Sequence, residues 1–511
     1  MPRRPVLVAG AGPTGLALAC VLRAHRVDVR VLDRAAVPAV TSRALGLQPR
    51  GAEVLDRLGA LDDVASRSLA VHQIVVHVVG REIGRLAVGK STRLVRRPGL
   101  LVSQAEIEGE LRRRLGELGT TVDWGRAVAG LAPDAEGVTV RLDGGELLDA
   151  GWVVGCDGAH SQVRKAAGIG FPGVPLAERF LLADVRADLP LARDSVAVWL
   201  DGEDLVAAFP LPGTDRWRLM APDPNPSAEL TEAAVLAQLT SLLTQRSSLP
   251  GAAVGQALWT STFRFHRRLA ETYRGGRVLL AGDAAHIHSP FGGQGLNTGI
   301  GDAENLGWKL ALVWSGRAAP ALLDTYEDER RPVAAEVLAS TSELTRVVLG
   351  GSAAARLVRD HMLVPLLNRP LVQRLIWERS SQLLISYRGG PLAGRSLPWS
   401  RPRPGDRIPD LQCYRSDGAS TRLHAELGSG WAVVAAEPAL GKACTDVAVE
   451  WLGAGAVTLL APVSGARRDG LLVRPDAHLA WRGTDPEAVR RWLAGALHRD
   501  RTPVRTSAAT G

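Results

Sequence analysis

The sequence predicts an α/β fold in which a parallel sheet is interleaved with an antiparallel sheet and followed by a smaller third region. Three segments, at 5–22, 152–165 and 277–310, predict the parallel sheet, because each runs from a short apolar strand through a glycine-containing turn into a helical pattern. Alternating apolar residues between these segments predict antiparallel strands. With 511 residues, 46% of them apolar, the chain can form two or three domains with substantial cores.

The first segment has the pattern of a nucleotide-binding turn. An apolar strand at 5–9 is followed by G-x-G-x-x-G, formed by Gly10, Ala11, Gly12, Pro13, Thr14 and Gly15. An apolar helix comes next, and a second strand at 27–32 ends at Asp33, with Arg34 after it. Such glycines permit a tight turn and close approach to a pyrophosphate, while the acid binds ribose hydroxyls. We therefore predict a Rossmann-like dinucleotide site.

A secretory signal is the alternative interpretation of the N-terminus. Arg3 and Arg4 precede an apolar run, as they would in a signal peptide. The glycines inside that run and the strand that follows at 27–32 argue against export.

The third segment, RVLLAGDAAHIHSPFGGQGLNTGIGDAENLGWKL at 277–310, is the most informative part of the chain. Its strand ends at Gly282 and Asp283, and a glycine cluster leads into a helix. Backbone without side chains can approach a flat ligand closely, and a helix N-terminus favours negative charge there. A glycine-rich surface turn is the structural alternative. For His286 and His288 in the loop, an ordering role is favoured over proton transfer.

The second segment, WVVGCDGAHSQVRK at 152–165, repeats the pattern. Its apolar strand ends at a Gly-Cys-Asp-Gly turn, and a helix follows. Asp157 at the end of this strand could accept hydrogen bonds from ligand hydroxyls or could fix its own loop.

Together the three motifs resemble those of the group A flavoprotein monooxygenases, the para-hydroxybenzoate hydroxylase superfamily. Within that group the chain is most similar to the branch of aromatic polyketide hydroxylases and rifampicin monooxygenase, over nearly its whole length. The resemblance implies FAD as cofactor, NADPH or NADH as reductant, and O2 and a small aromatic molecule as substrates.

The resemblance also implies particular site residues. Contacts to FAD are expected from Gly10, Gly12, Pro13, Thr14, Gly15, Asp33, Arg34, Arg43, Gln104, Asp157, Asp283, Pro290, Gly293, Gly295, Leu296 and Asn297. Candidates to line the substrate site are Leu45, Gly46, Leu47, Trp199, Phe209, Phe265 and Phe291. For any single one of Trp199, Phe209 and Phe265, ordinary core packing is favoured. No catalytic base is indicated, because the flavin carries the chemistry.

The expected reaction is hydroxylation of a polycyclic aromatic polyketide or related phenolic natural product through a flavin C4a-hydroperoxide. Baeyer–Villiger insertion or epoxidation would use the same cofactor, and the sequence does not separate these reactions. A flavin protein that sequesters an intermediate without oxygenating it is a third possibility.

The positions of the motifs suggest the domain organisation. Residues 1–70, 100–175 and 273–385 would form a discontinuous FAD-binding domain, and 71–99 with 176–272 an antiparallel-sheet substrate domain. A Pro/Gly/Arg-rich linker at 386–411 would lead to a C-terminal domain at 412–511 that resembles thioredoxin. Its cysteines, Cys413 and Cys444, do not form a CxxC pair, so we expect no dithiol chemistry.

The composition argues against a nucleic-acid-binding, a membrane-spanning or a metal-binding protein. The net charge of +8 comes from dispersed arginines, and no nucleic-acid motif is present, so a nucleic-acid partner is not expected. No apolar run reaches the length of a membrane span, and no Cys/His spacing indicates a metal. The scattered cysteines fit a reducing cytoplasm. We expect a cytoplasmic monomer or homodimer.

Overall fold

The computed structural model describes residues 3–40, 44–92, 94–201, 204–224, 230–247, 249, 253–288, 293–349, 352–394, 401–463 and 468–497; within these ranges the side chains of 175–178, 204, 253, 264–265, 342–349 and 353 are not described. The chain divides into two compact units, Met1–Gly307 with Arg330–Ile385 and Trp308–Glu329 with Ser386–Gly511. None of the helices in the described ranges combines the length and apolar character needed to cross a bilayer.

The first unit contains four sheets and most of the helices. Its strands are β1 (Val6–Ala9), β2 (Val29–Asp33), β3 (Leu45–Leu47), β4 (Leu69–Val71), β5 (Gln73–Val78), β6 (Arg81–Ala87), β7 (Gly99–Ser103), β8 (Val122–Trp124), β9 (Val128–Pro133), β10 (Val138–Leu142), β11 (Leu147–Ala150), β12 (Trp152–Gly155), β13 (Gly173–Asp188), β14 (Ser195–Asp201), β15 (Asp204–Pro210), β16 (Arg216–Pro222), β17 (Ala253–Leu269), β18 (Arg274–Gly275), β19 (Val278–Leu280) and β20 (His286–Ile287). The helices are α1 (Pro13–Ala24), α2 (Pro49–Leu58), α3 (Asp62–Ser66), α4 (Gln104–Glu117), α5 (Gln162–Ala166), α6 (Glu232–Ser247), α7 (Gly295–Trp314), α8 (Asp324–Leu349), α9 (Ala353–Val358), α10 (Val364–Leu366) and α11 (Pro370–Ser380), of which α7 and α8 contribute residues to both units.

A six-stranded sheet brings the three sequence motifs together. Its strand order is β18-β19-β12-β1-β2-β8, and all neighbours pair in parallel except β18 with β19. The motif strands β1, β12 and β19 are adjacent, so the turns that follow them lie at one edge of the sheet. Ligands bind at this carboxyl edge in open α/β sheets. The predicted α/β class is confirmed.

An eight-stranded sheet forms the second layer of this unit, with the order β20-β17-β13-β16-β15-β14-β5-β6. Strands β5 and β6 form an antiparallel hairpin, and Gly80 in its turn has φ of +72°. One face of the sheet packs on α6 through a wholly apolar core that includes Trp199, Trp217 and Leu239. The opposite face carries Phe180, Met220 and other apolar side chains, and we call it the inner face.

Two small sheets complete the first unit. β9, β10 and β11 form an antiparallel meander, and β3 and β4 flank β7. Because Leu45 on β3 and Leu101 on β7 share a core with Phe209 on β15, the β3-β7-β4 sheet lies against the inner face.

The second unit is a mixed sheet with two helices. Its elements are β21 (Gln412–Arg415), β22 (Ser420–Arg422), β23 (Trp431–Val434), β24 (Val457–Pro462), β25 (Gly470–Val473), β26 (Leu479–Gly483), α12 (Pro438–Leu452) and α13 (Pro486–Leu497), and the strand order is β22-β21-β24-β23-β25-β26. Helix α12 connects the parallel strands β23 and β24, while β25 and β26 form an antiparallel hairpin.

Candidate active site

The glycines of the first motif allow β1, α1 and β12 to pack closely. Gly10 has φ of +106°, and a Cβ there would lie 2.3 Å from the carbonyl oxygen of Cys156. A Cβ on Gly15 would lie 1.9 Å from the carbonyl oxygen of Gly10. Neither position accepts a side chain without moving a strand or the helix.

Gly12 has a different environment, because a Cβ there would meet nothing within 4 Å. It is the N-cap of α1, makes no side-chain cap hydrogen bond, and is followed by Pro13. The start of α1 therefore has open space beside Gly12, and a helix N-terminus is a position that suits an anion. Gly158, in the turn after β12, also has open space on its Cβ side.

Thr14 joins the first motif to the third. A Cβ on Gly282 would lie 2.5 Å from the Thr14 hydroxyl oxygen, and a Cβ on Gly299 would lie 2.3 Å from the same atom. One glycine in the turn after β19 and one in α7 thus create the space that Thr14 occupies. This contact brings the first and third motifs together although they are far apart in the sequence.

Asp33 braces the first turn as well as ending β2. One of its carboxylate oxygens accepts a hydrogen bond from the Ala11 N–H at 2.7 Å, and the other accepts one from the Ala35 N–H at 2.8 Å. A carboxylate that accepts two hydrogen bonds keeps further acceptor capacity. Arg34, beside it, is exposed.

Asp157 has one satisfied and one unsatisfied oxygen. Oδ2 accepts hydrogen bonds from the backbone N–H groups of Gln162 and Val163, at 2.7 and 3.1 Å. Oδ1 is buried and has no hydrogen-bond partner among the described residues. A buried acceptor without a partner is uncommon in proteins and indicates a missing donor.

Asp283 lies in the 3₁₀ turn that follows β19, Gly282–Ala284. Solvent still reaches its side chain, although the protein surrounds it closely enough that desolvation raises the pKa of the carboxyl, an effect that His286 opposes. Because solvent reaches Asp283, a bound ligand could reach it too. Its carboxylate would then accept hydrogen bonds from that ligand.

A buried acid that the sequence analysis did not single out, Asp302, holds this turn in place. It accepts hydrogen bonds from the Gly282 N–H at 3.1 Å and from Arg330 Nε at 2.7 Å, and it lies 2.6 Å from Nε2 of His286. Burial opposes its ionisation, but Arg330 and His286 outweigh burial and hold its pKa below the ordinary value. Asp302 lies on α7 one helical turn beyond Thr298. No sequence motif marks it as different from a surface acid, whereas the structure shows that it is wholly buried.

The two loop histidines are both buried and stack at 5.2 Å between ring centroids. Burial and, to a smaller extent, neighbouring His286 together lower the pKa of His288 to about 3, so His288 is neutral at physiological pH. The contacts of His286 fit the ordering role that the sequence favours.

Asn297 fastens the start of α7 to the loop that follows β3. Its Oδ1 accepts a hydrogen bond from the Gln48 N–H at 2.8 Å, while its Nδ2 donates to the carbonyl oxygens of Gly293 at 2.8 Å and Gly46 at 3.4 Å. Both ends of this side chain thus make structural contacts, so the backbone at the start of α7 is the part that we expect to contact a ligand. Gly295 and Leu296, both half-buried, precede it in the first turn of α7.

Gln104 is the first residue of α4, after the N-cap Ser103. Its Nε2 donates to Glu108 Oε1 at 2.8 Å. Burial raises the pKa of Glu108, and the hydrogen bond from Gln104 opposes that shift.

Of the residues expected to line the substrate site, some lie at the inner face of the eight-stranded sheet and one lies on the opposite face. Leu45 and Phe209 share one apolar cluster on the inner face, beside Gly46 and Leu47 of β3. Trp199, a candidate for the substrate site, is instead a core residue: because side chains alternate along a strand, it points to the α6 face, where it is 1% exposed and stacks on His77.

Four of the expected site residues lie wholly or partly outside the part of the chain that the structure describes. Arg43, Pro290 and Phe291 lie outside the described residues, and Phe265 is on β17 with its side chain likewise outside them. Within the described part of the chain, no group of His, Cys, Asp and Glu is arranged to hold a metal ion.

The residues at the sheet edge fit a bound flavin nucleotide. The open N-terminus of α1 suits a pyrophosphate, and the unpartnered Oδ1 of Asp157 and the accessible Asp283 are acceptors for hydroxyl groups. A strand edge with these features beside an apolar sheet face is the arrangement expected of an enzyme that binds a dinucleotide cofactor next to a largely apolar molecule.

Comparison with known proteins identifies the family. A family model described as an FAD binding domain matches residues 3–341, and one described as the C-terminal domain of aromatic-ring hydroxylases matches 401–500. The chain therefore belongs to the FAD-dependent aromatic-ring monooxygenases, as the motifs predict, and FAD is its cofactor.

Individual relatives cover nearly the whole chain. The 12-dehydrotetracycline 5-monooxygenase/anhydrotetracycline 6-monooxygenase of Streptomyces rimosus is 36% identical over 533 residues, 96% of this chain and 99% of the relative. A rifampicin monooxygenase of Streptomyces venezuelae is 35% identical over 494 residues, 95% of this chain and 96% of the relative. The crystal structure of aklavinone-11 hydroxylase with FAD and aklavinone has a TM-score of 0.81 at 26% identity and covers 97% of this chain and 99% of that one.

Proposed function

We propose that this monooxygenase hydroxylates a polycyclic aromatic polyketide or a related phenolic natural product, using NADPH or NADH as reductant. The observation that carries the proposal is the inner face, whose apolar side chains meet the loop that is fastened to the start of α7. The named substrates of the relatives, tetracycline precursors, rifampicin and aklavinone, support a large polycyclic molecule there.

We propose the following division of roles within the site. The α1 N-terminus at Gly12 binds the pyrophosphate, Asp33 the adenosine ribose, and Asp157 and Asp283 other hydroxyl groups of the cofactor. Bound FAD, once reduced, supplies the activation of O2. The backbone at the start of α7 stabilises negative charge on the reduced ring, and the apolar inner face orients the substrate and excludes water.

The domain organisation belongs to the same proposal. The flavin domain comprises 1–70, 100–175 and 273–385, and 71–99 with 176–272 form the substrate domain. The β23-α12-β24 crossover followed by the β25–β26 hairpin and α13 supports a thioredoxin-like assignment for 412–511. All four cysteines are buried and free, which supports a structural role and a reducing cytoplasm. We propose a monomer or homodimer, which light scattering distinguishes.

Turnover of a substrate panel tests the function. Purified protein is supplied with FAD, NADPH and a series of tetracyclic and angular polyketides, and NADPH consumption and product mass are followed together. We expect substrate-stimulated NADPH oxidation and a product heavier by one oxygen atom with its ring carbons intact. A ring-expanded lactone or an epoxide would show a different oxygenation, and a failure of every panel member to stimulate NADPH oxidation would contradict the proposal.

A further inference from the structure

Four residues form a single row across the inner face. In the pairing register, Phe209 on β15 lies opposite Arg218 on β16, Arg218 lies opposite Asp184 on β13, and Asp184 lies opposite Trp259 on β17. Residues in register point to the same side of a sheet. The row is thus an aromatic ring, a guanidinium, a carboxylate and a second aromatic ring in sequence, over three inter-strand spacings or about 14 Å.

The two charged members of the row hold each other in a fixed orientation. Arg218 Nε donates to Asp184 Oδ1 at 2.7 Å, and its terminal nitrogen donates to Oδ2 at 2.9 Å. The Arg218 side chain is 4% exposed and that of Asp184 is 18% exposed. The guanidinium carbon also lies 5.6 Å from the centre of the Trp259 ring. This is a two-point ion pair embedded between aromatic rings.

Most of the neighbouring side chains on this face are apolar. Phe180, Leu182 and Met220 are on the same face, and Trp259 and Phe263 pack partly buried against them. The nearest polar neighbours in the register are Ser261, opposite Leu182, and Arg186, two residues along β13 from Asp184. A buried ion pair adds little net stability, because desolvation offsets the attraction, and apolar residues of equal volume would fold as well.

The row also ends beside the flavin-binding loop region. Phe209 shares its apolar cluster with Leu45, and the neighbouring Gly46 carbonyl accepts a hydrogen bond from Asn297 at the start of α7. A planar molecule lying along the row would therefore extend toward α7.

We infer that Arg218 and Asp184 form a specificity element that binds a phenol or enol oxygen of the substrate, with Phe209 and Trp259 contacting its rings. Arg218 donates to the oxygen, and Asp184 fixes the guanidinium. This inference rests on the proposed function and names the substrate group that the site selects: a free hydroxyl or its anion on a fused aromatic system.

A matched pair of ligands tests this recognition. A hydroxylated tetracyclic anthraquinone and its O-methyl ether are titrated into the FAD-bound protein, and Kd is read from the change in flavin absorbance. Because a hydrogen bond to a charged group accounts for roughly ten- to hundredfold in affinity, we expect the wild-type protein to prefer the free phenol by about tenfold or more. In the double variant Asp184→Leu, Arg218→Met, the preference should fall to about one.

Three controls separate recognition from structure. The double variant replaces both charges with apolar groups, so its FAD content and thermal midpoint should match the parent. Arg186→Gln breaks the exposed Arg186–Asp215 pair in the same sheet and should leave the preference unchanged. Arg218→Lys keeps the charge, and hence the fold, but loses the two-point geometry, so its preference should fall several-fold.

The outcomes are distinct. A folded, FAD-bound double variant that still prefers the phenol would overturn the inference, as would an unchanged preference in Arg218→Lys. Wild-type protein that binds both ligands with equal Kd would overturn this inference and leave the proposed function standing. Wild-type protein that neither binds nor responds to any polyketide would instead overturn the proposed function.

Discussion

At the scale of single residues, the site depends on acids that differ in what surrounds them. Asp302 is wholly buried, paired with Arg330, and fixes the turn. Asp283, next to the residue that Asp302 holds, remains reachable by solvent and has a raised pKa because the protein desolvates it. Asp302 therefore supports the turn, whereas Asp283 is the acid that we propose to contact the cofactor.

Replacing Asp283 with alanine should weaken FAD binding without unfolding the protein. Its carboxylate is expected to accept hydrogen bonds from cofactor hydroxyls, each of about 1.5–3 kcal/mol when one partner is charged, so the Kd for FAD should rise roughly ten- to hundredfold. Flavin fluorescence titration of the apoprotein measures this, and circular dichroism checks the fold. Asp283→Asn, which keeps an acceptor, should lose less; equal affinity in the alanine variant and the parent would rule out this role.

At the scale of secondary structure, the site depends on how closely α7 approaches the turn after β1. Thr14 fits between a glycine of the turn after β19 and a glycine of α7, so the absence of side chains at these two positions lets α7 lie close to the start of α1. The same sequence feature that predicts a flat ligand also sets the distance between elements.

A methyl group at Gly299 should therefore displace α7. Gly299→Ala would bring a Cβ within 2.3 Å of the Thr14 hydroxyl and 3.3 Å of the Gly282 Cα, and we expect a loss of about 1–3 kcal/mol in stability together with weaker FAD binding. Urea unfolding and FAD titration measure the two effects. Gly116→Ala in α4, where a Cβ meets nothing within 4 Å, is the control and should be neutral or stabilise by up to about 1 kcal/mol. Similar behaviour of the two variants would contradict the close-approach argument.

The elements themselves could be predicted from the sequence because their signals are local. The strand, glycine turn and acid of each motif lie within a few residues, and parallel strands place such turns at one edge. The row from Phe209 to Trp259 could not be predicted, since strand register depends on contacts between distant segments. For the same reason, the sequence does not show which face of the sheet carries Trp199. The structure places it on the α6 face, away from the inner face.

At the scale of the whole molecule, the two units contain their own buried charges. In the second unit, Glu329 accepts from Lys309 Nζ at 2.8 Å and from Arg474 at 2.7 and 2.9 Å, and Arg474 also contacts Asp476. Burial opposes ionisation of Glu329, but Arg474 and Lys309 outweigh it and lower its pKa to about 2 from an ordinary 4.5.

This cluster should make stability depend on acid pH. Between pH 4.5 and 2 the unfolded chain binds a proton at Glu329 that the folded protein does not. This contribution to the free energy of unfolding is therefore complete above pH 4.5 and is lost as the pH falls toward 2. Its size is on the order of 3 kcal/mol. Thermal midpoints from pH 6 to pH 3 should show this decline. Glu329→Gln should flatten it and lower stability at neutral pH, whereas the exposed Glu487→Gln should not; an unchanged slope in Glu329→Gln would contradict the assignment.

The cysteines of the second unit should matter for stability and not for turnover. Cys413 and Cys444 are buried, and burial raises the pKa of each thiol to about 11. The double change to serine should lower stability by about 1–3 kcal/mol per site, because a hydroxyl replaces an apolar thiol. The ratio of product formed to NADPH consumed should stay the same. Lost coupling in a stable, FAD-loaded variant would show that this unit takes part in turnover.

The strand order of the parallel sheet also constrains how the protein is made. Strand β12 pairs with β1 on one side, but its partner on the other side, β19, is translated only after strands β13 to β17 of the eight-stranded sheet have emerged. Until then β12 presents an open edge, and Thr14 lacks the neighbours that enclose it. A nascent chain stalled before Val278 therefore carries an unpaired hydrophobic strand, the feature by which folding intermediates aggregate. Expression of this protein should thus depend more on uninterrupted translation and on chaperones that cover strand edges than its final stability would suggest.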